Sequence, residues 1–157
     1  MPVGIGYDIH RLVADRSLML GGIEIPYIKG LEGHSDGDVL LHAICDAILG
    51  ALGEGDIGQH FPDDQPAYKN ISSEKLLKNV LAIVAASNFQ IENIDTIVVA
   101  EQPKLSPFKE KIETRISQAL GLTKSQVNVK ATTNEGLGLI GRTEAIASYA
   151  VVSLRPD

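Results

Sequence analysis

The size and charge of the chain exclude several classes of protein. Its 157 residues match the length of one domain with a real hydrophobic core. A net charge of −6 argues against a nucleic-acid partner, which would need clustered Lys and Arg. Cys45 is the only cysteine, so neither an intrachain disulfide nor a Cys-based zinc cluster can form, and we expect a buried thiol. With no apolar run of membrane-spanning length and no signal or transit segment, we expect a cytoplasmic protein without a membrane partner.

Strand patterns occur near both ends of the chain and in its middle. Val3 to His10 predicts a strand, and Leu18 to Ile25 is its expected partner, with Gly21-Gly22 suggesting a bulge. Residues 29–37 hold three glycines and are expected to form a mobile loop. Later strands are predicted at Ile91 to Gln102, Val127 to Thr133 and Thr143 to Leu154.

Three further segments carry apolar residues at helical spacing. They are Val39 to Leu52 after two cap-competent aspartates, Ser72 or Ser73 to about Ser87, and a segment opened by Ser106-Pro107 and ended by Gly121. Between the first two, Gly53 to Pro66 predicts a long loop of a kind that is usually functional. The order of elements, ββαα then βαββ, predicts an α+β fold with helices packed on one face of a mixed β-sheet.

Asp8, His10 and His42 are the strongest candidate site residues. Strand residues two apart share a face, so Asp8 and His10 can converge on one ion, and His42 on the first predicted helix completes a trio. One carboxylate and two imidazoles without a thiolate suit a zinc site that keeps a position for water or substrate. An isolated Asp-x-His is more often a surface pair or an internal hydrogen bond. However, three of the four histidines lie in these two segments, which favours a metal site.

Two aspartates share the helix face of His42. Asp38 and Asp46 lie four residues before and after it, so their carboxylates are candidates for orienting the imidazole. A solvated acidic face is the simpler interpretation of Asp38, and both interpretations of Asp46 stay open.

The segment from residue 136 to residue 141 matches the dinucleotide fingerprint G-x-G-x-x-G. We reject a dinucleotide site, because the motif should open a helix in a βαβ unit, with an acidic residue about twenty positions later. Only sixteen residues follow Gly141, and they are strand-like. Residues 130–136 with Gly138, Gly141 and Arg142 better suit phosphate, with Glu135 holding a hard cation such as Mg2+. A glycine-rich turn between strands is the alternative.

Several motifs together resemble one enzyme family, the 2-C-methyl-D-erythritol 2,4-cyclodiphosphate synthases. The motifs are Asp8-x-His10, His34-Ser35-Asp36-Gly37-Asp38 leading to His42, Gly55-Asp56-Ile57-Gly58, Phe61-Pro62-Asp63, and Lys130-Ala131-Thr132-Thr133 before Glu135. Their order and spacing span nearly the whole chain. The resemblance implies a single catalytic domain over residues 1–157, a cyclising lyase of non-mevalonate isoprenoid biosynthesis. Its expected reaction converts 4-diphosphocytidyl-2-C-methyl-D-erythritol 2-phosphate to the cyclic diphosphate plus CMP.

The resemblance also implies roles for particular residues. By this resemblance Asp8, His10 and His42 would hold zinc, Glu135 would hold Mg2+ or Mn2+, and His34 and Thr133 would stabilise the transition state. Residues 56–58 and 61–63 hold the erythritol end, and residues 100–106 form the cytidine pocket. The implied substrate-binding set is Asp8, His10, His34, Ser35, Asp56, Ile57, Gly58, Phe61, Pro62, Asp63, Ala100, Lys104, Leu105, Ser106, Thr132, Thr133, Glu135, Leu139 and Arg142.

A homotrimer with active sites at subunit interfaces is a further implication of the resemblance. The zinc and erythritol pocket of one subunit would meet the cytidine pocket of its neighbour. Leu139 departs from the aromatic residue common in the family, near an axial cavity that can bind isoprenoid diphosphates with help from the arginine matching Arg142. This departure argues against such binding. The alternatives are a zinc-dependent phosphoesterase and a non-catalytic trimer that senses isoprenoid diphosphates, for which the trio and Glu135 would have no purpose.

Overall fold

The computed structural model describes residues 1–62, 68 and 71–157. These residues form a mixed β-sheet and the helices that pack against it. Numbered in chain order, the strands are Val3–Ala14 (β1), Leu18–Leu20 (β2), Ile23–Ile25 (β3), Lys29–Leu31 (β4), Phe89–Val99 (β5), Val127–Thr132 (β6) and Ala145–Pro156 (β7). The helices are Val39–Leu52 (α1), Ile57–His60 (α2), Ser73–Ala86 (α3), Lys109–Leu120 (α4) and Gly138–Gly141 (α5), with a 3₁₀ turn at Lys124–Gln126.

The main sheet has five strands in the order β4-β1-β7-β5-β6. β5 and β6 are parallel and the other neighbours are antiparallel, so the predicted mixed sheet is confirmed. Helix α1 packs on β1 and β7, α3 on α1 and β5, and α4 on β6. The buried apolar residues of these elements form one continuous core, which includes Ile44, Ile94, Ile112 and Val152. The expected α+β architecture, with helices on one face, is therefore present.

Two glycines of β1 allow α1 to approach the strand at backbone distance. A Cβ placed on Gly6 would lie 1.9 Å from the carbonyl oxygen of Ala43, and one on Gly4 would lie 2.0 Å from that of Ala47. Any larger residue at either position would need space that the helix backbone now fills. This close approach brings His42, one residue before Ala43, next to the strand that carries Asp8 and His10.

The opposite face of β1 and β7 carries apolar side chains that α1 does not cover. We call the six exposed residues of this surface the apolar sheet face; they are Val3, Ile5, Tyr7, Ile9, Tyr149 and Val151, each between 40% and 71% exposed. The rings of Tyr7 and Tyr149 pair across the two strands with centroids 4.8 Å apart. A contiguous apolar patch of this kind marks an interaction surface more often than a free one.

The predicted pairing of the first strand is wrong. Leu18 to Ile25 forms a separate hairpin of β2 and β3, while β1 pairs with β7 and β4. Gly21 and Gly22 have φ values of +62° and +78°, as a two-residue hairpin turn requires, so they form a turn and not a bulge. Part of the expected loop at residues 29–37 is strand β4, which borders β1.

The other predicted elements agree with the structure except at some of their ends. α1 and α3 have the expected bounds, with Ser72 as the N-cap of α3. α4 begins only at Lys109, because residues 106–108 form a turn, and β5 ends at Val99. The expected loop after α1 contains the single turn of α2. Cys45 is buried, as predicted, and burial raises the pKa of its thiol.

The glycine motif at residues 136–141 contains the single turn of α5. This turn links β6 to a strand that runs in the opposite direction, because β5 is parallel to β6 and antiparallel to β7. The connection is therefore not a βαβ unit, and the rejection of a dinucleotide site agrees with the structure. Within the described ranges, every helix is too short or too polar to cross a bilayer.

Candidate metal centre and substrate pocket

The three predicted metal ligands converge at one point between β1 and α1. Asp8 Oδ2 lies 2.8 Å from His10 Nε2 and 2.9 Å from His42 Nδ1, and the two ring nitrogens are 3.3 Å apart. His42 is 7% exposed. The structure therefore brings together residues that are up to 34 positions apart in the chain.

These distances match the edges of a metal coordination shell. Zinc binds nitrogen and oxygen at about 2.0 to 2.1 Å, so two ligands in tetrahedral geometry lie about 3.3 Å apart. The observed separations of 2.8 to 3.3 Å need only small outward shifts to accept an ion at the centre. One carboxylate and two imidazoles are also a suitable donor set for a divalent metal.

The tautomer of His10 leaves one nitrogen available to a metal. Its Nδ1 lies 2.5 Å from the carbonyl oxygen of Glu32. Since a carbonyl can only accept, Nδ1 carries a proton, and in the neutral ring Nε2 therefore presents its lone pair toward Asp8 and His42. A carbonyl partner of this kind commonly orients metal-bound histidines.

The electrostatics of the trio favour a charged Asp8. Burial would raise the pKa of this carboxyl, but the ring nitrogens of His10 and His42, which donate to it and carry positive charge when the rings are protonated, lower it well below its usual range. Burial likewise opposes protonation of His10, whose pKa is nevertheless raised by the hydrogen bond and charge of Asp8. Negative charge is thus held where a cation would bind.

A pocket of about 680 Å³ opens beside the trio. Five further residues of the predicted substrate-binding set line it, which are His34, Ser35, Ile57, Gly58 and Phe61. Asp56 caps α2 by accepting the N–H of Gln59 at 2.9 Å, and Asp63 lies outside the described residues. The metal trio and three of the six residues predicted to hold the erythritol end, Ile57, Gly58 and Phe61, therefore share one cavity.

Sequence reasoning missed Arg16, which also lines this pocket. Its guanidinium donates to the carbonyls of Ser35 at 3.0 Å and Gly33 at 3.4 Å. The residue thus holds the loop that carries His34 and Ser35, and it brings positive charge to a cavity in an acidic protein. A lone arginine in a turn after β1 gives no sequence pattern that would reveal this role.

Asp38 and Asp46 do not orient His42 as one interpretation predicted. Asp38 is fully buried and accepts N–H groups from Leu41, Gly21 and Gly22 at 2.8 to 3.0 Å, which joins α1 to the β2–β3 turn. Burial raises the pKa of its carboxyl, although these three bonds favour the charged form.

The interpretation of these aspartates as a solvated acidic face is wrong for Asp38, which is fully buried, and only partly describes Asp46, which is half-buried. Its Oδ1 accepts the N–H of Ile57 at 2.8 Å, and burial raises the pKa of the carboxyl despite this bond. The same face of α1 therefore places His42 beside Asp8 and His10 and fixes the start of α2 at the pocket.

A second group of predicted site residues lies after β6. The N–H groups of Asn134 and Gly136 donate to Glu101 Oε1 at 2.8 and 3.0 Å, and the hydroxyl of Thr133 donates to Glu135 Oε1 at 3.3 Å. Glu135 has a φ of +53°, a conformation uncommon for a residue other than glycine. Glu101 thus ties the Glu135 turn to the segment that follows β5.

In the described part of the chain the two groups do not line a common pocket. Ile9, Ala147, Val99 and Thr132 are neighbours across β1, β7, β5 and β6, so both groups lie at the same end of the sheet. Three strand spacings of about 4.8 Å, or about 14 Å, separate β1 from β6. Among the residues that the structure describes, those at 100–106 and 132–142 do not line the cavity of the trio.

The comparisons with known proteins agree with the architecture and the site. The YgbB family model matches residues 1–155, and the chain belongs to this family. The protein named 2-C-methyl-D-erythritol 2,4-cyclodiphosphate synthase from Syntrophotalea carbinolica is 57% identical over 98% of this chain and 94% of its own length. One of that name from Pelotomaculum thermopropionicum is 58% identical over 96% of this chain and 93% of its own. The resemblance found in the motifs is therefore confirmed.

Solved structures give the same result. The bifunctional IspDF of Campylobacter jejuni aligns with a TM-score of 0.95 at 44% identity, and the match covers 99% of this chain and 42% of that longer protein. A Plasmodium falciparum IspF in complex with CDP aligns with a TM-score of 0.88 at 38% identity over 99% of this chain and 96% of its own.

Proposed function

We propose that this chain catalyses the reaction of 2-C-methyl-D-erythritol 2,4-cyclodiphosphate synthases. In that reaction 4-diphosphocytidyl-2-C-methyl-D-erythritol 2-phosphate gives the cyclic diphosphate and CMP. The observation that carries the proposal is the converged trio of Asp8, His10 and His42 beside a 680 Å³ pocket. The trio occurs in a chain 54% to 58% identical to relatives of that name across 96% to 99% of its length.

The chemistry needs positioning and charge neutralisation more than a general base. A phosphate oxygen of the ionised 2-phosphate attacks the β-phosphorus, and the bond from that phosphorus to the bridging oxygen breaks as CMP leaves with the electron pair. The loop of His34 and Ser35, held by Arg16, supplies donors at the pocket. Donors fixed before the reaction cost little reorganisation as charge develops in the transition state.

Two cations complete the proposed site. Asp8, His10 and His42 would hold zinc, while Glu135, with the substrate phosphates, would hold Mg2+ or Mn2+. Once bound, these ions would supply Lewis-acid polarisation of the substrate phosphates and positive charge near the leaving group. The mutual distances of the trio and the exposed carboxylate of Glu135 support this division.

We propose a homotrimer in which neighbouring subunits share each active site. The apolar sheet face supports the assembly, because apolar side chains such as Ile5, at 71% exposure, gain from leaving water. The separation of the trio from residues 100–106 supports the sharing, because these residues do not line the pocket that holds the trio in the same chain. The relative from Plasmodium falciparum binds CDP, which supports a cytidine pocket at Ala100, Lys104, Leu105 and Ser106.

Mixed oligomers test the sharing of sites. A His42→Ala subunit would keep an intact cytidine segment, and a Lys104→Glu subunit would keep an intact metal trio. Each variant alone should be inactive, whereas unfolding and reassembling them together should restore some sites made from two intact halves. Sedimentation should show a trimer, and a fully active monomer would contradict the proposal.

Product analysis tests the reaction itself. Purified protein with Zn2+ and Mg2+ should release CMP and a cyclic product from the substrate. Inorganic phosphate or a linear product would instead favour a zinc-dependent phosphoesterase, and tight binding of isoprenoid diphosphates without turnover would favour the sensor. A cytoplasmic location and the single catalytic domain over residues 1–157 stay predictions, and cell fractionation tests the first of them.

A further inference from the structure

His42 contacts two serine hydroxyls with the edge of its ring that faces away from Asp8. Its Nε2 lies 2.9 Å from Ser73 Oγ and 3.1 Å from Ser35 Oγ. Ser73 is fully buried and is the first residue of α3, 31 positions after His42. This contact therefore joins a second helix to the metal trio.

The direction of these hydrogen bonds follows from Asp36. The hydroxyl of Ser73 donates to Asp36 Oδ1, which as a carboxylate oxygen can only accept. The Ser73 proton is thus committed, and its oxygen is left to accept the Nε2–H of His42. A proton on Nε2 leaves the lone pair on Nδ1, the nitrogen that faces Asp8 at 2.9 Å.

Asp36 is itself fixed by the backbone. It accepts the N–H of Ser73 with Oδ2 at 3.1 Å and the N–H of Asp38 with Oδ1 at 3.2 Å. The carboxylate thus bridges the start of α3 and the residue that caps α1. These bonds hold the Ser73 hydroxyl against His42 independently of any ligand in the pocket.

We propose that Asp36 and Ser73 form a positioning relay that selects the metal-binding tautomer of His42 and fixes the plane of its ring. The relay rests on the proposed metal site. Asp36 and Ser73 do not contact the metal in this proposal but affect its binding through His42. Ser35 is a weaker second acceptor, at the longer distance, and its Oγ also receives the N–H of Gly37 at 3.3 Å.

Zinc affinity measured by competition with a chromogenic chelator tests the relay. Ser73→Ala should weaken zinc binding by about 10- to 100-fold, the usual effect of removing such a partner of a ligating histidine. Ser72→Ala is the matched control, since Ser72 caps α3 by accepting the N–H of Lys75 at 3.3 Å. The control should lower the melting temperature but leave zinc affinity within about twofold of native.

A spectroscopic measurement separates positioning from general loosening of the fold. With Co2+ in place of zinc, Ser73→Ala should shift the visible absorption bands of the ion, because a rotated imidazole changes the ligand field. Ser72→Ala should keep the native spectrum. In saturating zinc, Ser73→Ala should lower kcat more than it changes KM, because the substrate contacts of the pocket remain.

The double variant supplies a second and independent readout. Asp36→Asn alone should also weaken zinc binding, because the relay loses its charge. Since Asp36 acts through Ser73, adding Asp36→Asn to Ser73→Ala should weaken zinc binding no further. If Ser73→Ala does not fold, Asp36→Asn and its Co2+ spectrum carry the test.

The failure modes of the two proposals differ. A native protein that binds no zinc would overturn the metal site and the relay together. Zinc binding by the native protein, with equal affinity and an unchanged Co2+ spectrum in Ser73→Ala, would overturn the relay alone. Fully additive losses in the double variant would also overturn it, because they would mean that Asp36 acts by another route.

Discussion

Replacing Gly6 by alanine tests whether the contact between α1 and β1 sets the geometry of the metal trio. The new Cβ would lie 1.9 Å from Ala43 O, 2.8 Å from Ala43 C and 2.9 Å from Ala47 N, all of them backbone atoms. Contacts under 3.0 Å are essentially never seen for real Cβ atoms, so α1 has to move away by about 1.1 Å.

A shift of this size has consequences for both stability and metal binding. Overpacking costs about 1 to 3 kcal/mol, which lowers the melting temperature of a chain of this length by about 2 to 12 °C. His42 moves with α1, and a metal site tolerates only about 0.2 Å of error in its bond lengths. Zinc affinity should therefore fall by at least about 100-fold, which is the upper end of the loss seen when a hydrogen-bond partner of a metal ligand is removed.

Gly50→Ala is the matched control, because it adds the same methyl group to the last turn of α1. The nearest atoms to its Cβ are 3.9 Å away, so it should keep zinc affinity and stabilise the helix by up to about 1 kcal/mol. Chelator competition and thermal unfolding of both variants check the prediction. Native zinc affinity and melting temperature in Gly6→Ala would refute the reasoning.

Three more substitutions probe other parts of the proposal. Ile5→Asp places a charge on the apolar sheet face and should dissociate the oligomer in sedimentation, whereas Ile28→Asp, at an 81% exposed residue outside that face, should not. Glu135→Gln should keep its zinc but lose at least about tenfold in CMP release at low Mg2+, with partial rescue by more Mg2+; identical metal-dependence curves would contradict this role. Asp46→Ala frees the N–H of Ile57 and should raise KM about tenfold at unchanged zinc content, since a hydrogen bond to a charged group contributes about 1.5 kcal/mol; an unchanged KM would count against it.

Local patterns in the sequence were sufficient for most of the elements and for the metal trio. The helical spacing of Val39 to Leu52 and the alternation of Asp8 and His10 on a strand predict faces of single elements, and those faces meet in the structure. Strand pairing was harder, because the partner of β1 lies more than 130 residues away in β7. Because Gly21-Gly22 was interpreted as a bulge and not as a turn, the two short strands β2 and β3 were predicted as one strand that pairs with β1.

The contacts of His42 show a second limit of sequence reasoning. The spacing of Asp38 and Asp46 correctly places them on its helix face, but spacing does not say which donor each carboxylate reaches. Both accept backbone N–H groups of other segments. The hydroxyl that contacts the imidazole comes from Ser73 on another helix, through a tertiary contact that no local pattern encodes.

The alternation of side chains along β1 links the candidate metal site to the apolar sheet face. Asp8 and His10 lie on one side of the strand, and Tyr7 and Ile9, on the other, belong to the apolar sheet face. Adjacent Cα atoms are about 3.8 Å apart, so the proposed subunit packing and the proposed metal coordination would act on the same short piece of backbone. If association of subunits makes this segment more rigid, it would raise the affinity for zinc. By thermodynamic reciprocity, bound zinc would raise the association constant of the subunits by the same factor. Zinc affinity would then depend on protein concentration, and a chelator would loosen the assembly without touching its interface.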